Sequence, residues 1–177
     1  MKAKLFSALV LTGLALVAQQ SFAAPDGTIT FKGIVLDTTC TINGGGTAAD
    51  FTVTLPQVNK TQLSTAGAIA GKTPFVLQLT NCPTFATKVH AFFEGVSVTN
   101  GRLNNSATNG AANVQIQLLK TDGTNQINVN DNAQSYDYAN PSSGNATLTY
   151  NAQYYANGAA AGAGQVTATA TYTLIYE

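Results

Sequence analysis

Apolar and polar residues alternate with a period of two along most of the chain beyond residue 27. The clearest runs are Thr28–Leu36, Phe51–Leu55, Phe75–Leu79, Val114–Leu118, Ala146–Tyr154 and Val166–Tyr176. Alternation of this kind indicates half-buried antiparallel strands. Lys88–Glu94 adds a strand with apolar residues on both faces, and a short turn of helix is compatible with Gln62–Ala66. The pattern therefore predicts an all-β protein.

Turn-forming dipeptides separate these runs. They include Asn100-Gly101, Asn109-Gly110, Asp122-Gly123, Asn140-Pro141 and Asn157-Gly158. Short strands joined by such turns favour a β-sandwich. The Ala-rich stretch 159–163 is interrupted by glycine and reads as a loop. Nothing in the pattern divides residues 34–177, so we expect them to form one domain.

The first 23 residues have the order of a secretory signal peptide. Lys2 and Lys4 form a positive start, Leu5–Ala18 is largely apolar, and Ser21 and Ala23 are small residues at the −3 and −1 positions. The rival interpretation is a membrane anchor, but the apolar run is shorter than the roughly 20 residues that a spanning helix needs. We therefore expect residues 1–23 to be cleaved after Ala23 during export.

Charge and composition narrow the function classes. Only 9% of the residues are charged, and 8 basic residues balance 8 acidic ones. Because no basic field exists to neutralise phosphates, nucleic-acid binding is not expected. The only histidine, His90, lies in an apolar run, which favours a packed or surface residue over a catalytic one. We expect no enzyme activity, no cofactor and no metal site.

Two cysteines, Cys40 and Cys82, remain after signal removal. An exported chain enters an oxidising compartment, where an even number of cysteines usually forms disulfides, so we expect a disulfide. Two free buried thiols are the alternative. A metal site is weaker still, because two thiolates and a distant histidine lack a fourth ligand.

Both ends of the chain have strand patterns that lack an evident partner strand. Val166–Tyr176 is the most regular strand pattern, and nothing follows it that could pair beside it. Residues 24–31 contain a strand-like segment with few local partners. An open sheet edge can accept a strand from another chain, and a head-to-tail contact of that kind builds filaments. The alternative is a complete sandwich whose terminal strands pair within one chain.

Several motifs resemble the major subunits of type 1 fimbriae, which are chaperone–usher pilins of Gram-negative bacteria. The matching segments are Phe31-Lys32-Gly33 followed by Cys40, Val53–Val58, Phe75–Cys82, Asn113–Ile116 and Ala152–Ala156. The C-terminal segment matches best, since Gly164 is fourteenth from the end and Tyr176 is penultimate. The resemblance covers essentially all of the chain after the signal.

This resemblance implies an incomplete immunoglobulin-like sandwich that lacks its last strand and is completed by a donor strand from another subunit. Residues 24–33 would be the donor extension, with Gly27, Ile29 and Phe31 pointing into a neighbour's groove, and residues 34–177 the pilin domain. The groove-edge strand would carry Gly164, Val166, Ala168, Ala170, Tyr172, Leu174 and Tyr176.

The function implied is that of a structural subunit of a fimbrial shaft, which polymerises head to tail with identical subunits and supports cell adhesion. A periplasmic pilus chaperone and an outer-membrane usher would be its partners, and its route would run through the periplasm to the cell surface. Two alternatives stay open: a minor or adaptor subunit at the fimbrial tip, and a monomeric secreted carbohydrate-binding β-sandwich.

Overall fold

A computed structural model of the chain describes residues 27–33, 35, 38–42 and 50–177. The chain divides into two units, Met1–Val35 and Leu36–Glu177. The predicted signal peptide and the first residues of the predicted donor extension lie outside the described residues. In the first unit, residues 27–33 and Val35 are exposed and carry no strand. The strand predicted at Thr28–Leu36 is therefore absent from its described residues. Alternation alone does not form a strand, since a strand also needs a neighbour that supplies ladder hydrogen bonds.

The second unit is built of short strands, as the alternation predicts. Its described residues contain a 3₁₀ helix at Lys60–Leu63, which overlaps the predicted helical turn, and nine strands. The strands are β1 (Thr41–Ile42), β2 (Ile69–Thr80), β3 (Val89–Glu94), β4 (Val98–Thr99), β5 (Arg102–Asn104), β6 (Val114–Leu119), β7 (Gln126–Ile127), β8 (Ala146–Ala156) and β9 (Thr171–Tyr176). No helix in the described residues is long and apolar enough to cross a membrane.

These strands form two antiparallel sheets. The larger sheet has the order β1-β2-β8-β6-β5-β4, with β7 also paired to β6. The smaller sheet consists of β3 and β9 alone among the described residues. The strand predicted at Phe51–Leu55 is wrong as an assignment: the segment alternates in burial but makes no ladder with either sheet.

The main core lies between the inward faces of the two sheets. Leu77 and Leu79 of β2, Leu148 and Tyr150 of β8, and Phe93 of β3 are almost fully buried there. The Tyr150 ring packs edge-on against Phe93, with ring centroids 5.0 Å apart. Its buried hydroxyl accepts a hydrogen bond from the Ala91 N–H at 3.2 Å, so the polar end of the ring is satisfied.

A disulfide joins Cys40 to Cys82, as predicted, and both residues are buried in this core. The bond fixes the junction of β1 and β2, where Thr41 pairs with Thr80 and Ile42 with Leu79. The sequence separation of 42 residues makes the closed loop long. A cross-link of that span removes much of the conformational entropy of the unfolded chain, with an expected stabilisation of about 4 kcal/mol.

We predict that Cys40→Ser lowers the free energy of unfolding by about 4 kcal/mol, because the unfolded chain regains its loop entropy. Denaturant titration of the purified subunit measures this loss. Thr39→Ser, at an exposed neighbouring position, is the matched control and should change stability little. A native subunit with two alkylatable thiols would contradict the premise.

Candidate functional site

The segment that leads into and includes β9 carries an apolar row that is nowhere fully buried. We call this the β9 row; its members are Val166, Ala168, Ala170, Tyr172, Leu174 and Tyr176. All six are half-buried and pack against the main core, while the residues between them are exposed. The inward residues of β3, by contrast, are buried. The β9 row therefore faces the core without a complete cover.

Only one edge of β9 is hydrogen-bonded to a described strand. The backbone groups of Glu177 exchange two hydrogen bonds with Lys88, at 2.9 and 3.0 Å. Since the hydrogen-bonding direction alternates along an antiparallel strand, Leu174 and Tyr176 direct their backbone groups to the opposite edge. No strand in the described part of the chain pairs with that edge. We call this edge, at Leu174 and Tyr176, the open edge of β9.

The outer edge of β3, in contrast, is closed by side chains and by a loop. The odd-numbered residues of Val89–Gly95 direct their backbone groups to this edge. Their partners, at 2.7–3.2 Å, are the backbone of Ala139, the Tyr150 hydroxyl, and the side-chain amides of Gln134 and Asn130. The small sheet therefore has one capped edge and one open edge.

Phe51 and Leu55 bring further incompletely covered apolar side chains to the core face that the β9 row shares. The Phe51 ring lies 6.2 Å from the Tyr172 ring and 6.1 Å from the Phe75 ring, measured between centroids. Leu55 packs against the same core as the β9 row. Phe51 itself is 41% exposed. An apolar strip with incomplete cover therefore extends from β9 to the Phe51 segment.

Tyr176 ties β9 to the disulfide. The Cys40 N–H donates a hydrogen bond to the Tyr176 hydroxyl at 3.0 Å. Burial raises the pKa of Tyr176, and the hydrogen bond from Cys40 opposes that shift. The penultimate tyrosine of the sequence motif thus anchors the end of β9 to the most buried cysteine, across 136 residues of chain.

Gly164 stands where the chain enters this segment, and two features require a glycine there. Its φ of 153° lies in a region that other residues rarely adopt. A Cβ at this position would lie only 2.5 Å from the Ala111 nitrogen and 2.8 Å from the Gly110 carbonyl carbon. The neighbouring Gln165 carbonyl accepts a hydrogen bond from the Ala111 N–H at 2.9 Å. Gly164 therefore serves close backbone packing at the start of the segment.

The three residues that the sequence assigns to a donor strand are exposed in the first unit. Ile29 is 78% exposed, Phe31 is 89% exposed, and a Cβ added to Gly27 would meet nothing within 4 Å. Exposed large apolar side chains in this number are a feature of interaction segments. Their role as donor residues stays a prediction at this point.

The sequence did not predict the capping residues Gln134 and Asn130 or the contact of Phe51 with Tyr172. Gln134 and Asn130 lie in polar loops whose composition gives no sign of a partner strand. Phe51 alternates with polar neighbours, which indicates a half-buried residue but not its neighbour across the core. No group of three His, Cys, Asp or Glu residues in the described ranges is arranged to hold a metal ion.

Comparison with known proteins gives a family match over residues 29–177, to the model described as "Fimbrial protein". The F17 fimbrial protein of Escherichia coli is 42% identical over 177 residues, with 95% of this chain and 97% of that protein covered. The major fimbrial subunit SMF-1 of Stenotrophomonas maltophilia (strain K279a) is 46% identical, with 86% and 94% covered.

The fold has a solved counterpart in the P pilus rod subunit PapA. The two chains share 22% identity and a TM-score of 0.62, with 79% of this chain and all of PapA covered. At this identity the likeness concerns the fold alone. It agrees with an incomplete immunoglobulin-like sandwich, in keeping with the open edge of β9.

We predict that Tyr176→Phe lowers the free energy of unfolding by about 1 kcal/mol, because the Cys40 N–H loses its acceptor. Chemical denaturation followed by tyrosine fluorescence measures this change. Tyr155→Phe removes a hydroxyl that makes no hydrogen bond within the described residues, and should have a smaller effect. Equal effects of the two variants would show that the contact with Cys40 contributes nothing.

Proposed function

Because this chain belongs to the fimbrial protein family and is a structural subunit of a bacterial fimbrial shaft, we propose that it polymerises by donor-strand exchange. Residues 24–33 of one copy add a strand to the open edge of β9 in the next copy. The observation that carries this proposal is the asymmetry of the small sheet, in which β3 is capped and β9 is open.

The chemistry of the two segments is complementary. The added strand would supply hydrogen-bond partners to the open edge and cover the half-buried β9 row. Its own Ile29 and Phe31 would lose their exposure, and full burial of such side chains stabilises by roughly 1.5–3 kcal/mol each. Gly27, two residues before Ile29, shares their parity and would lie where no side chain fits.

The contact is heterologous, since one copy contributes a donor segment and the other an acceptor edge. Such a contact does not close on itself unless a rotation happens to complete a ring, so repetition builds a filament. This supports a subunit repeated along the shaft more than a single adaptor copy at a tip, and more than a monomeric carbohydrate-binding sandwich.

Export places a further requirement on the subunit before assembly. An open edge beside an apolar row is a site of unwanted association. We infer that a periplasmic chaperone covers it until an outer-membrane usher delivers the subunit to the growing fimbria on the cell surface. In this scheme the protein is a scaffold and carries out no reaction.

We predict that Gly27→Leu blocks fibre growth while leaving the subunit folded. A leucine side chain at the inward-facing position would overpack the acceptor site, at a cost of roughly 1–3 kcal/mol for each subunit contact. Thr28→Leu places the same side chain one residue away, on the opposite face of the donor strand. Electron microscopy of cells that carry each variant measures fibre number and length.

Wild-type fibre numbers for Thr28→Leu and few or none for Gly27→Leu are the expected results. Equal fibre yields from the two variants would refute the assigned register. A loss of soluble subunit in the Gly27→Leu strain would instead indicate a folding defect, so subunit abundance is measured in parallel by immunoblot.

We also predict that a second copy of residues 24–33, fused after Glu177 through a flexible linker, complements the subunit in cis. Intramolecular strand addition occurs at a high effective concentration, so the fused chain should be a more stable monomer. Thermal unfolding and size-exclusion chromatography measure both properties. A fusion whose added copy carries Ile29→Ser and Phe31→Ser is the control; an equal unfolding midpoint for the two fusions would reject the open-edge mechanism.

A further inference from the structure

The only histidine of the chain is enclosed on the side of β3 that faces away from the main core. Val89 and Ala91 belong to that core, whereas His90 between them points to the other side. His90 is nevertheless only 3% exposed. The rings of Tyr136 and Tyr138 cover it, with centroids 3.9 and 5.0 Å from the imidazole.

The enclosure suits a neutral imidazole and opposes a charged one. The His90 Nδ1 atom is buried and makes no hydrogen bond within the described residues. Burial lowers the pKa of His90, and the negative charge of Glu177 only partly opposes this shift. The titratable or charged groups around His90 are Lys88 just before β3, Glu94 of β3, Glu177 just after β9, and Tyr136, Asp137 and Tyr138 of the covering segment. Tyr172 and Tyr176 of β9 face the main core instead.

Glu177 acts on His90 only through its charge, and none of these groups forms an ion pair with the imidazole among the described residues. Asp137 is already paired with Lys120, at 3.3 Å. Glu177 lies 3.4 Å from the Tyr138 hydroxyl, and the Lys88 ammonium group stands 5.3 Å from the centre of the Tyr138 ring. A proton on the buried Nδ1 atom would therefore have no partner among the described residues.

The covering segment is also what caps the first part of the outer edge of β3. Val89 and Ala139 exchange two backbone hydrogen bonds, both of 2.9 Å. On the other side of β3, His90 is paired with Ile175 of β9. Any displacement of Tyr136–Ala139 thus uncovers the only described strand that holds β9.

We propose that Tyr136, Tyr138 and His90 form an acid-sensitive clasp, which holds residues 136–139 on β3 at neutral pH and releases them when His90 takes up a proton. Release breaks the Val89–Ala139 pair and admits water to the ring. The acceptor edge on β9 then rests on a less constrained β3. For its effect on the filament, and only there, this inference depends on the strand exchange proposed above.

The direction of the pH dependence follows from proton linkage. The open state binds a proton at the ordinary histidine pKa of about 6.5, and the closed state only at lower pH. The closed state is therefore fully favoured at pH values above the open-state pKa. Its stability relative to the open state decreases as the pH falls below that pKa. Between the two pKa values, the population of the open state should rise about tenfold for each pH unit.

Hydrogen exchange followed by mass spectrometry on purified fimbriae tests the clasp between pH 7.5 and 4.5. Protection factors, corrected for the intrinsic pH dependence of exchange, should fall for peptides that contain Val89 and Ala139. The bridge between Ser142 and Asn145 is an internal control, because it is near the clasp in sequence but lies outside residues 136–139. Protection that is independent of pH at Val89 and Ala139 would overturn the proposal.

Two variants assign the effect to the imidazole. His90→Phe keeps an aromatic ring beside the two tyrosines and cannot be protonated. His90→Gln keeps a neutral polar group that does not titrate. Both should abolish the fall in protection at acid pH; a fall equal to that of the wild type would overturn the proposal.

If neither variant accumulates, a measurement on the wild-type protein still tests the clasp. Deuterium exchange at the imidazole Cε1 position reports the ionisation of this single histidine, and a midpoint at or above about 6.5 would contradict the clasp. Failure of strand exchange gives a different result, since it would appear in the fibre counts of the Gly27 and Thr28 variants and would leave the protection of Val89 and Ala139 unaffected.

Discussion

A strand at the edge of a sheet leaves one row of backbone N–H and C=O groups without a partner strand, and β9 has a described partner strand along one edge alone. The other features of the site follow from this constraint. The β9 row is half-buried because the layer beside it is incomplete. The disulfide and the Tyr176 hydroxyl hold the end of β9 in place, where no second described strand does.

The alternating pattern predicted the apolar face of the C-terminal segment more accurately than it predicted the strand itself. All the even-numbered residues from Val166 to Tyr176 face the core, but the strand begins only at Thr171. Before that point, Gln165 and Thr167 bond to the Asn105 side chain and to the Ser106 backbone. Alternation in the sequence indicates which face of a segment is buried. Whether the segment forms a strand depends on the groups that its backbone meets at the edge.

The same distinction explains Phe51–Leu55, whose side chains alternate in burial without a ladder. It also explains why the capping of β3 could not be predicted. A glutamine or asparagine side chain can replace a strand edge only when its loop has the right conformation, and that conformation depends on contacts distant in sequence. The disulfide was within reach of prediction, because chemistry and compartment decide it.

If strand exchange occurs as proposed, the capped edge of β3 limits the small sheet to one acceptor edge. With both edges of the small sheet open, a subunit would accept two donors and offer one, and growth would branch into a network. Gln134, Asn130, Tyr150 and Ala139 occupy one edge of the small sheet, so that only its β9 edge lacks a described partner. Under the proposed exchange, one donor segment and one acceptor edge per molecule would make a bifunctional monomer, whose only open product is an unbranched chain with two distinct ends.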